Sequence, residues 1–440
     1  WLGLHLGLYA LLWTKLNWLW NHTHPWPGLE QFFFWCGIGL VLLGTWLLSW
    51  LPLRHWIALW NSVRSWISWV LPLSLAAPYI AEVASGAWLR FALLTFSLTE
   101  LVLSLFYADV VVVPHQLLLG TPEFVVEIQP GCSGYEGMGL IAVLLSGYLW
   151  LKRHELKFPQ ALLVLPLGVV LAYYANILRL VLLIALGTQV SPDIAMKGFH
   201  SQAGWISFTV LSIAMIYLIE RSGYLARTPQ VDEEYTYASL PFLAPLIALL
   251  ASTMVIKAFS DDFEYLYFLK PLVVGFVLIR FWKSYRLELP RPNWLGSVLT
   301  GVFVYLLWIA LVPCPDAASP FKTLPGALGV GWVVFRCLGA IVAVPLAEEL
   351  AFRGYLYRRF QHRDFDSISL GRFAPLSAVL TSGLFAALHS SPLAGMLASL
   401  VYTWLYTRPG HLSNAVIAHA VTNGCLALQV LLLGHWGLWL

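Results

Sequence analysis

The first half of the chain contains a cysteine, an arginine and a histidine in settings that suit acyl transfer. Cys132 lies in a glycine-flanked segment just before the apolar run 135–151, where the start of a helix would favour its thiolate. Arg179 lies inside an apolar run of membrane-spanning length, where a charge is costly and indicates function. His200 comes just before the next run. A thiol nucleophile, a proton shuttle and a cation for the developing oxyanion are the groups that acyl transfer uses.

Each of these residues also has an ordinary structural interpretation. Most cysteines are buried and inert, and an arginine in a span can extend to the lipid phosphates. His200 taken alone could be an ordinary histidine of a surface loop. The other four cysteines, Cys36, Cys314, Cys337 and Cys425, fit the inert interpretation. The five cysteines contain no CxxC pair, so neither a disulfide framework nor a zinc knuckle is expected. The occurrence of a cysteine, an arginine and a histidine in such positions within one half of the chain favours a catalytic site.

The second half contains a different set of polar residues within apolar runs. The set consists of Glu348, Glu349, Arg353, His389, His419 and Asn423. Glu349 and Arg353 are one helical turn apart and can form an ion pair. His419 and Asn423 are also one turn apart and share a helix face.

Depth in the membrane connects four members of this second set. Glu348 lies 15 residues from Arg363, His389 lies 17 from Arg372, and Asn423 and His419 lie 15 and 11 from Arg408. The positive-inside rule places these arginines in the cytoplasm. At 1.5 Å per residue these counts correspond to roughly 23, 26, 23 and 17 Å. The sequence therefore predicts a shared layer of polar groups within the membrane.

The composition excludes several classes of protein. The 440 residues are 59% hydrophobic and 11% charged, and the mean hydropathy is +0.75, whereas soluble domains are about 25% charged. A soluble enzyme, a disordered chain and a nucleic-acid partner are therefore excluded, and the net charge of +3 is too small to suggest a polyanion. We predict an all-α multi-pass membrane protein with about 12–14 spans, with the lipid bilayer as its surroundings.

The apolar runs position the two sets of residues. They cover about 1–20, 32–53, 57–80, 89–108, 135–151, 160–187, 202–220, 239–258, 266–283, 295–313, 326–360, 372–390, 394–406 and 411–434. We expect Pro345 to kink or break the long run 326–360. The polar stretch 223–238 is predicted to link a domain of residues 1–222 to one of residues 239–440. The loop around 109–131 should contain short strands at 110–113 and 124–128.

Lysine and arginine clusters orient the spans. Lys152, Arg153 and Lys157 lie between two runs and mark a cytoplasmic loop. The loops 109–134 and 188–200 then lie outside. Cys132, Arg179 and His200 are therefore predicted to meet at the extracytoplasmic face, whereas the topology before residue 89 stays open.

The first set resembles the motifs of the exosortase/archaeosortase family. The matching segments are Gly131-Cys132-Ser133-Gly134, Asn176-Ile177-Leu178-Arg179 and the segment around His200. The resemblance covers roughly residues 30–222. It implies a membrane cysteine enzyme in which Cys132, Arg179 and His200 are catalytic. Such enzymes cut a C-terminal sorting signal of secreted proteins (a motif, an apolar span and a basic tail) and join the new carboxyl end to another molecule.

The second set resembles the CPBP intramembrane proteases, which are related to CAAX prenyl endopeptidases. The matching segments are Glu348-Glu349-x-x-x-Arg353, Phe385-x-x-x-His389 and His419-x-x-x-Asn423, within roughly residues 290–434. The resemblance implies that Glu348 and His389 activate water and that His419 and Asn423 stabilise the oxyanion. Glu349 and Arg353 would hold the first helix. Some relatives act as scaffolds, so this half could also be non-catalytic.

Because it combines the two resemblances, the chain is similar to the exosortase E type. In that type an exosortase is fused to a protease in the bacterial inner membrane. No cofactor is expected. Glutamate and histidine can bind zinc, but the spacing is not HExxH, and a metal is the less favoured interpretation. The alternative from another class is a transporter, which inverted repeats would support; the sequence contains no such repeat.

Overall fold

The computed structural model describes most of the chain. The described residues are 2–21, 29–50, 52–129, 132–225, 238–261, 263–285, 289–314, 317, 319–362, 364–368, 373–408 and 411–439. The predicted class is confirmed: this is an all-α multi-pass membrane protein with a small three-stranded sheet. Most of the predicted linker 223–238 lies outside the described residues, and the division into domains 1–222 and 239–440 stays a prediction.

Two compact units make up the chain, residues 1–87 and residues 88–440. Unit 1 contains α1 (Leu2–Asn21), α2 (Leu29–Trp50) and the first part of α3 (Leu53–Leu103). The prediction of separate spans at 57–80 and 89–108 is wrong, because α3 is one helix of 51 residues. The residues between the two runs include no proline and a single glycine, so nothing there ends the helix.

The predicted outer loop folds into an antiparallel sheet in the order β1 (Val111–Val113), β2 (Leu118–Gly120) and β3 (Val125–Glu127). The two predicted strands are confirmed. The middle strand was not predicted, because a 3₁₀ turn and a left-handed Leu117 (φ 54°) reverse the chain just before it. Side chains from the sheet pack in one core with Cys132 and Leu183. The sheet thereby holds the cysteine loop against the helix that contains Leu183.

Three helices complete the first half. They are α4 (Tyr135–Leu151), α5 (Val164–Gln189), which follows a 3₁₀ turn at Gln160–Leu163, and α6 (His200–Arg221), which follows a π-helical turn at Ile194–Phe199. Ile141, Leu145 and Met215 are buried together between α4, α5 and α6. This packing brings the starts of α4 and α6 to the same region as the middle of α5.

Ten helical segments follow in the second half of the described chain. They are α7 (Leu240–Ala258), α8 (Leu269–Arg280), α9 (Trp282–Tyr285), α10 (Trp294–Leu311), α11 (Ala327–Leu338), α12 (Val344–Glu349), α13 (Tyr357–Arg359), α14 (Pro375–Ala387), α15 (Pro392–Thr407) and α16 (Leu412–Leu433). π-helical turns at Gly339–Ala343 and Leu350–Leu356 join α11, α12 and α13 into one helical stretch, Ala327–Arg359.

Pro345 does not break this stretch. The π turn at Gly339–Ala343 comes just before the proline, and wider turns of this kind absorb the hydrogen bond that proline removes. Six helices of the described residues are long and apolar enough to cross a membrane, and five shorter apolar helices accompany them. The count of 12–14 spans stays a prediction.

Candidate active sites

The main chain around Cys132 is fixed by two helices. The Asn176 side-chain amide on α5 donates to the Cys132 carbonyl at 2.8 Å. The Thr95 hydroxyl on α3 donates to the next carbonyl, that of Ser133, at 2.9 Å. Gly134 has a positive φ of 92°, and a Cβ there would lie 3.0 Å from the Asn176 amide nitrogen. Only glycine fits this position, and the loop therefore presents its cysteine in a defined orientation.

The structure brings the three predicted residues of the first site together. Cys132 Sγ lies 3.4 Å from His200 Nε2. The Arg179 guanidinium is close enough to interact electrostatically with the same thiol. Gly204 on α6 leaves room for the guanidinium, because a Cβ there would lie 3.0 Å from an Arg179 terminal nitrogen. The thiol thus has an imidazole and a cation as its immediate neighbours.

Burial controls the resting state of the thiol. Cys132 is 6% exposed, and this burial raises the pKa of the thiol above its ordinary value, whereas the nearby Arg179 guanidinium acts to lower it. The raised pKa means that the thiol is the resting form at neutral pH, although the helix start was expected to favour the thiolate. The nucleophile therefore needs a base, and His200 is placed to act as one.

A cavity of about 230 Å³ opens beside these residues. Its lining includes Gly134, Glu136, Asn176, Arg179, His200 and Trp205. Because Arg179 and His200 belong to this lining, the cavity gives access to the two groups that neighbour the thiol.

The second set forms a buried polar network. Glu349 Oε1 accepts a hydrogen bond from Arg353 Nη1 at 3.1 Å and lies 2.9 Å from His419 Nδ1. Arg353 is fully buried and also donates to the Ser399 hydroxyl at 2.7 Å and to the Ser399 carbonyl at 2.8 Å. Glu349 and Arg353 therefore join the Ala327–Arg359 stretch to α15 and α16.

Glu348 faces a different environment from its neighbour. Its Oε2 has no hydrogen-bond partner among the described residues and lies 3.9 Å from His419 Nε2, which is too long for a hydrogen bond. His389 is close enough to interact electrostatically with Glu348. His389 Nδ1 lies 2.8 Å from the Phe385 carbonyl, which requires the proton on Nδ1 and leaves Nε2 able to accept one.

Asn423 is placed apart from this group. Its amide donates to the Ala340 carbonyl at 2.7 Å, within the π turn that precedes α12. The structure thus brings Glu348, Glu349, Arg353, His389 and His419 together and gives Asn423 a backbone partner on the same helical stretch.

Comparison with known families agrees with both sets of motifs. Residues 1–217 match the transmembrane exosortase family (Exosortase_EpsH). Residues 329–425 match the family of type II CAAX prenyl endopeptidases, Rce1-like. Residues 1–217 are thus similar to exosortases and residues 329–425 to CAAX proteases, and they are called the exosortase segment and the CAAX-protease-like segment below for this similarity. The two predicted resemblances are confirmed. No curated protein and no solved structure matches the chain.

All nine predicted site residues fall within these matches. The exosortase segment contains Cys132, Arg179 and His200, and the CAAX-protease-like segment contains the whole second set. Both families are membrane processing enzymes, so the protein is a membrane processing enzyme of the peptidase type. The described part of the chain holds no group of three or more His, Cys, Asp and Glu side chains arranged to hold a metal ion.

Sequence reasoning assigned no role to the residues that support the two sites. Asn176 lies three residues before Arg179, on the same face of α5, and this spacing could have identified it. Ser399 carries no comparable signal, since a serine in an apolar run is usually bonded within its own helix. The role of Thr95 could not be inferred from the sequence, because only the tertiary fold places α3 beside the loop that contains Cys132 and Ser133.

Proposed function

We propose that the exosortase segment cleaves secreted proteins at a C-terminal sorting signal through Cys132, Arg179 and His200, and transfers the new carboxyl end to an acceptor. The observation that carries the proposal is the 3.4 Å separation of Cys132 Sγ and His200 Nε2 beside an open cavity. Arg179, next to the sulfur, supports the same assignment.

The proposed chemistry has two half-reactions. His200 takes the thiol proton as the sulfur attacks the scissile carbonyl carbon, and Arg179 stabilises the oxyanion. The C–N bond then breaks, the leaving amine takes the proton from His200, and a thioester to Cys132 remains. A nucleophile of the acceptor, deprotonated by His200, attacks the thioester and releases the thiol. Water as the nucleophile gives hydrolysis, and any other nucleophile gives transfer.

We propose that this site lies at the extracytoplasmic face of a bacterial inner membrane, and the positions of the lysines and arginines support the facing side. Substrates would then reach Cys132 after secretion, anchored by the apolar span of the signal. The basic tail of the signal would remain on the cytoplasmic side.

We propose that the CAAX-protease-like segment carries a second, endopeptidase activity. The unpartnered Glu348 oxygen and the acceptor nitrogen of His389 support a role in activating water. The bonds of Glu349 and Arg353 to neighbouring helices support a positioning role. A Glu348→Gln protein that cleaved the substrate of the second site normally would show that this segment is a scaffold.

The test of the first activity is Cys132→Ala, measured on a co-expressed secreted substrate with a C-terminal motif, apolar span and basic tail. We expect the full-length substrate to accumulate while the variant inserts at the wild-type level. Cys36→Ala is the matched control, because Cys36 is an exposed cysteine on α2. Wild-type processing by Cys132→Ala would contradict the proposal.

A further inference from the structure

The π turn that precedes His200 contacts the end of α7, a helix in the second half of the chain. Gly198 in this turn faces the last residues of α7. A Cβ added to Gly198 would lie 2.7 Å from the Lys257 carbonyl oxygen and 3.0 Å from that of Ala258, and it would be closer still to the Ser260 oxygen. Backbone therefore contacts backbone here, which only glycine allows.

The next residue makes a second contact with the same helix end. The Phe199 ring packs against the Phe259 ring with centroids 6.3 Å apart and an interplanar angle of 59°. Such ring pairs contribute about 0.5–1.5 kcal/mol beyond their burial. Both residues that directly precede His200 in the chain thus contact residues 257–260.

The end of α7 is itself well fixed. Ser260 is 3% exposed, and its hydroxyl donates to the Ile256 carbonyl at 2.7 Å. The Phe259 and Ser260 amides donate to the carbonyls of Ile256 and Lys257 at 3.1 and 3.3 Å. Of the three oxygens that face Gly198, that of Lys257 is held by one of these hydrogen bonds, which favours displacement of the π turn over displacement of the helix end.

The geometry points to a shared catalytic unit: the end of α7, within the predicted protease half, positions His200 for the exosortase reaction. Gly198 and Phe259 are the positioning residues. This inference rests on the proposed role of His200 as the base for Cys132. According to this inference, the exosortase reaction needs the second half of the chain because the α7 end positions His200. This need is independent of any chemistry at Glu348.

The size of the effect follows from the contact distances. Ordinary contact to a Cβ begins at 3.4 Å, so Gly198→Ala must move the π turn or the α7 end by about 0.7 Å to relieve the Lys257 oxygen, and further to relieve Ser260. A misplacement of about 1 Å in a catalytic group can reduce the rate about a hundredfold. Gly198→Ala should therefore reduce substrate processing by about this factor.

The experiment uses the full-length protein with Cys132 as its only cysteine, and it measures the rate of Cys132 alkylation by iodoacetamide against pH. We expect His200→Ala to slow alkylation about tenfold at neutral pH, since the thiol loses its base. Gly198→Ala and Phe259→Ala should slow it in the same direction.

Two matched controls separate positioning from general disturbance. Gly147→Ala adds the same methyl group on α4, where no described atom lies within 4 Å. Phe268→Ala removes a ring that is 37% exposed and packs on Phe335 of the same half, whereas Phe259 is 42% exposed. Both control variants should show the wild-type rate of Cys132 alkylation at every pH.

The outcomes are distinguishable. If His200→Ala slows alkylation while Phe259→Ala and Gly198→Ala both match the wild type, the positioning role of the α7 end is refuted and the proposed function stands. If His200→Ala itself leaves the profile unchanged, the pairing of Cys132 with His200 is refuted and the inference falls with it. Phe259→Ala decides the case in which Gly198→Ala does not fold.

Discussion

Two adjacent glutamates should respond in opposite ways to the same substitution. Glu349 accepts a hydrogen bond from the buried Arg353 and lies within bonding distance of His419. Both glutamates have an Oε2 atom without a hydrogen-bond partner among the described residues, but only Glu349 is held there through its other oxygen. Glutamine has the shape of glutamate without its charge, so Glu349→Gln and Glu348→Gln compare a structural with a proposed catalytic carboxylate at nearly equal burial.

The magnitudes follow from these contacts. Glu349→Gln leaves the fully buried Arg353 cation without its anion, and breaking such a pair costs about 3–5 kcal/mol. Each 1.4 kcal/mol is a factor of ten, so the unfolding equilibrium should shift by more than about a hundredfold. Glu348→Gln removes no side-chain hydrogen bond to the described part of the chain, so the free energy of unfolding of this variant should change by less than about 1 kcal/mol. The same variant should abolish cleavage at the second site.

The assay is reversible unfolding of the purified protein in mixed micelles of increasing denaturing detergent, followed by the fluorescence of its tryptophans. Cleavage of the second-site substrate is measured on the same preparations. Arg153→Met is the control for loss of a cation, because Arg153 lies in a loop turn and contacts Trp150. Equal destabilisation by both glutamine variants would refute the division of roles, and so would full cleavage by Glu348→Gln.

Two further predictions concern the surroundings of Cys132. Arg179→Gln should slow alkylation of Cys132 at pH 7, because loss of the cation removes an influence that lowers the pKa of the thiol, and less thiolate then exists at any pH below that pKa; a faster reaction would contradict this reasoning. Asn176→Ala should destabilise the protein by about 1–3 kcal/mol, since the Cys132 carbonyl loses its 2.8 Å hydrogen bond, and it should also lower kcat for processing; an unchanged free energy of unfolding would contradict the assigned role.

The sequence predicted the elements that depend on local pattern. Apolar runs of spanning length and polar residues within them identified the helices α4 to α7 and most of the second half, because lipid allows no other backbone arrangement there. The run at 135–151 and the helix Tyr135–Leu151 coincide. The separation of α3 into two spans failed, since hydropathy alone cannot show whether a short less apolar stretch is a loop.

The residues that support the sites depend on tertiary packing and were beyond the sequence. Thr95 and Cys132 are 37 positions apart, and nothing in either segment indicates their proximity. The π turns at Ile194–Phe199 and Gly339–Ala343 have no sequence signature that the helical period could reveal. The contact of Gly198 with the α7 end also connects two segments that were predicted to belong to separate domains.

The central claim is that Cys132 attacks the substrate and holds its acyl group as a thioester. The direct measurement is peptide mapping by mass spectrometry of protein quenched in acid during turnover of a secreted substrate. We predict a hydroxylamine-sensitive adduct on the Cys132 peptide, with the mass of the substrate fragment that precedes the cleaved bond, and its disappearance in Cys132→Ala. Substrate turnover without such an adduct, or an adduct on another residue, would contradict the account.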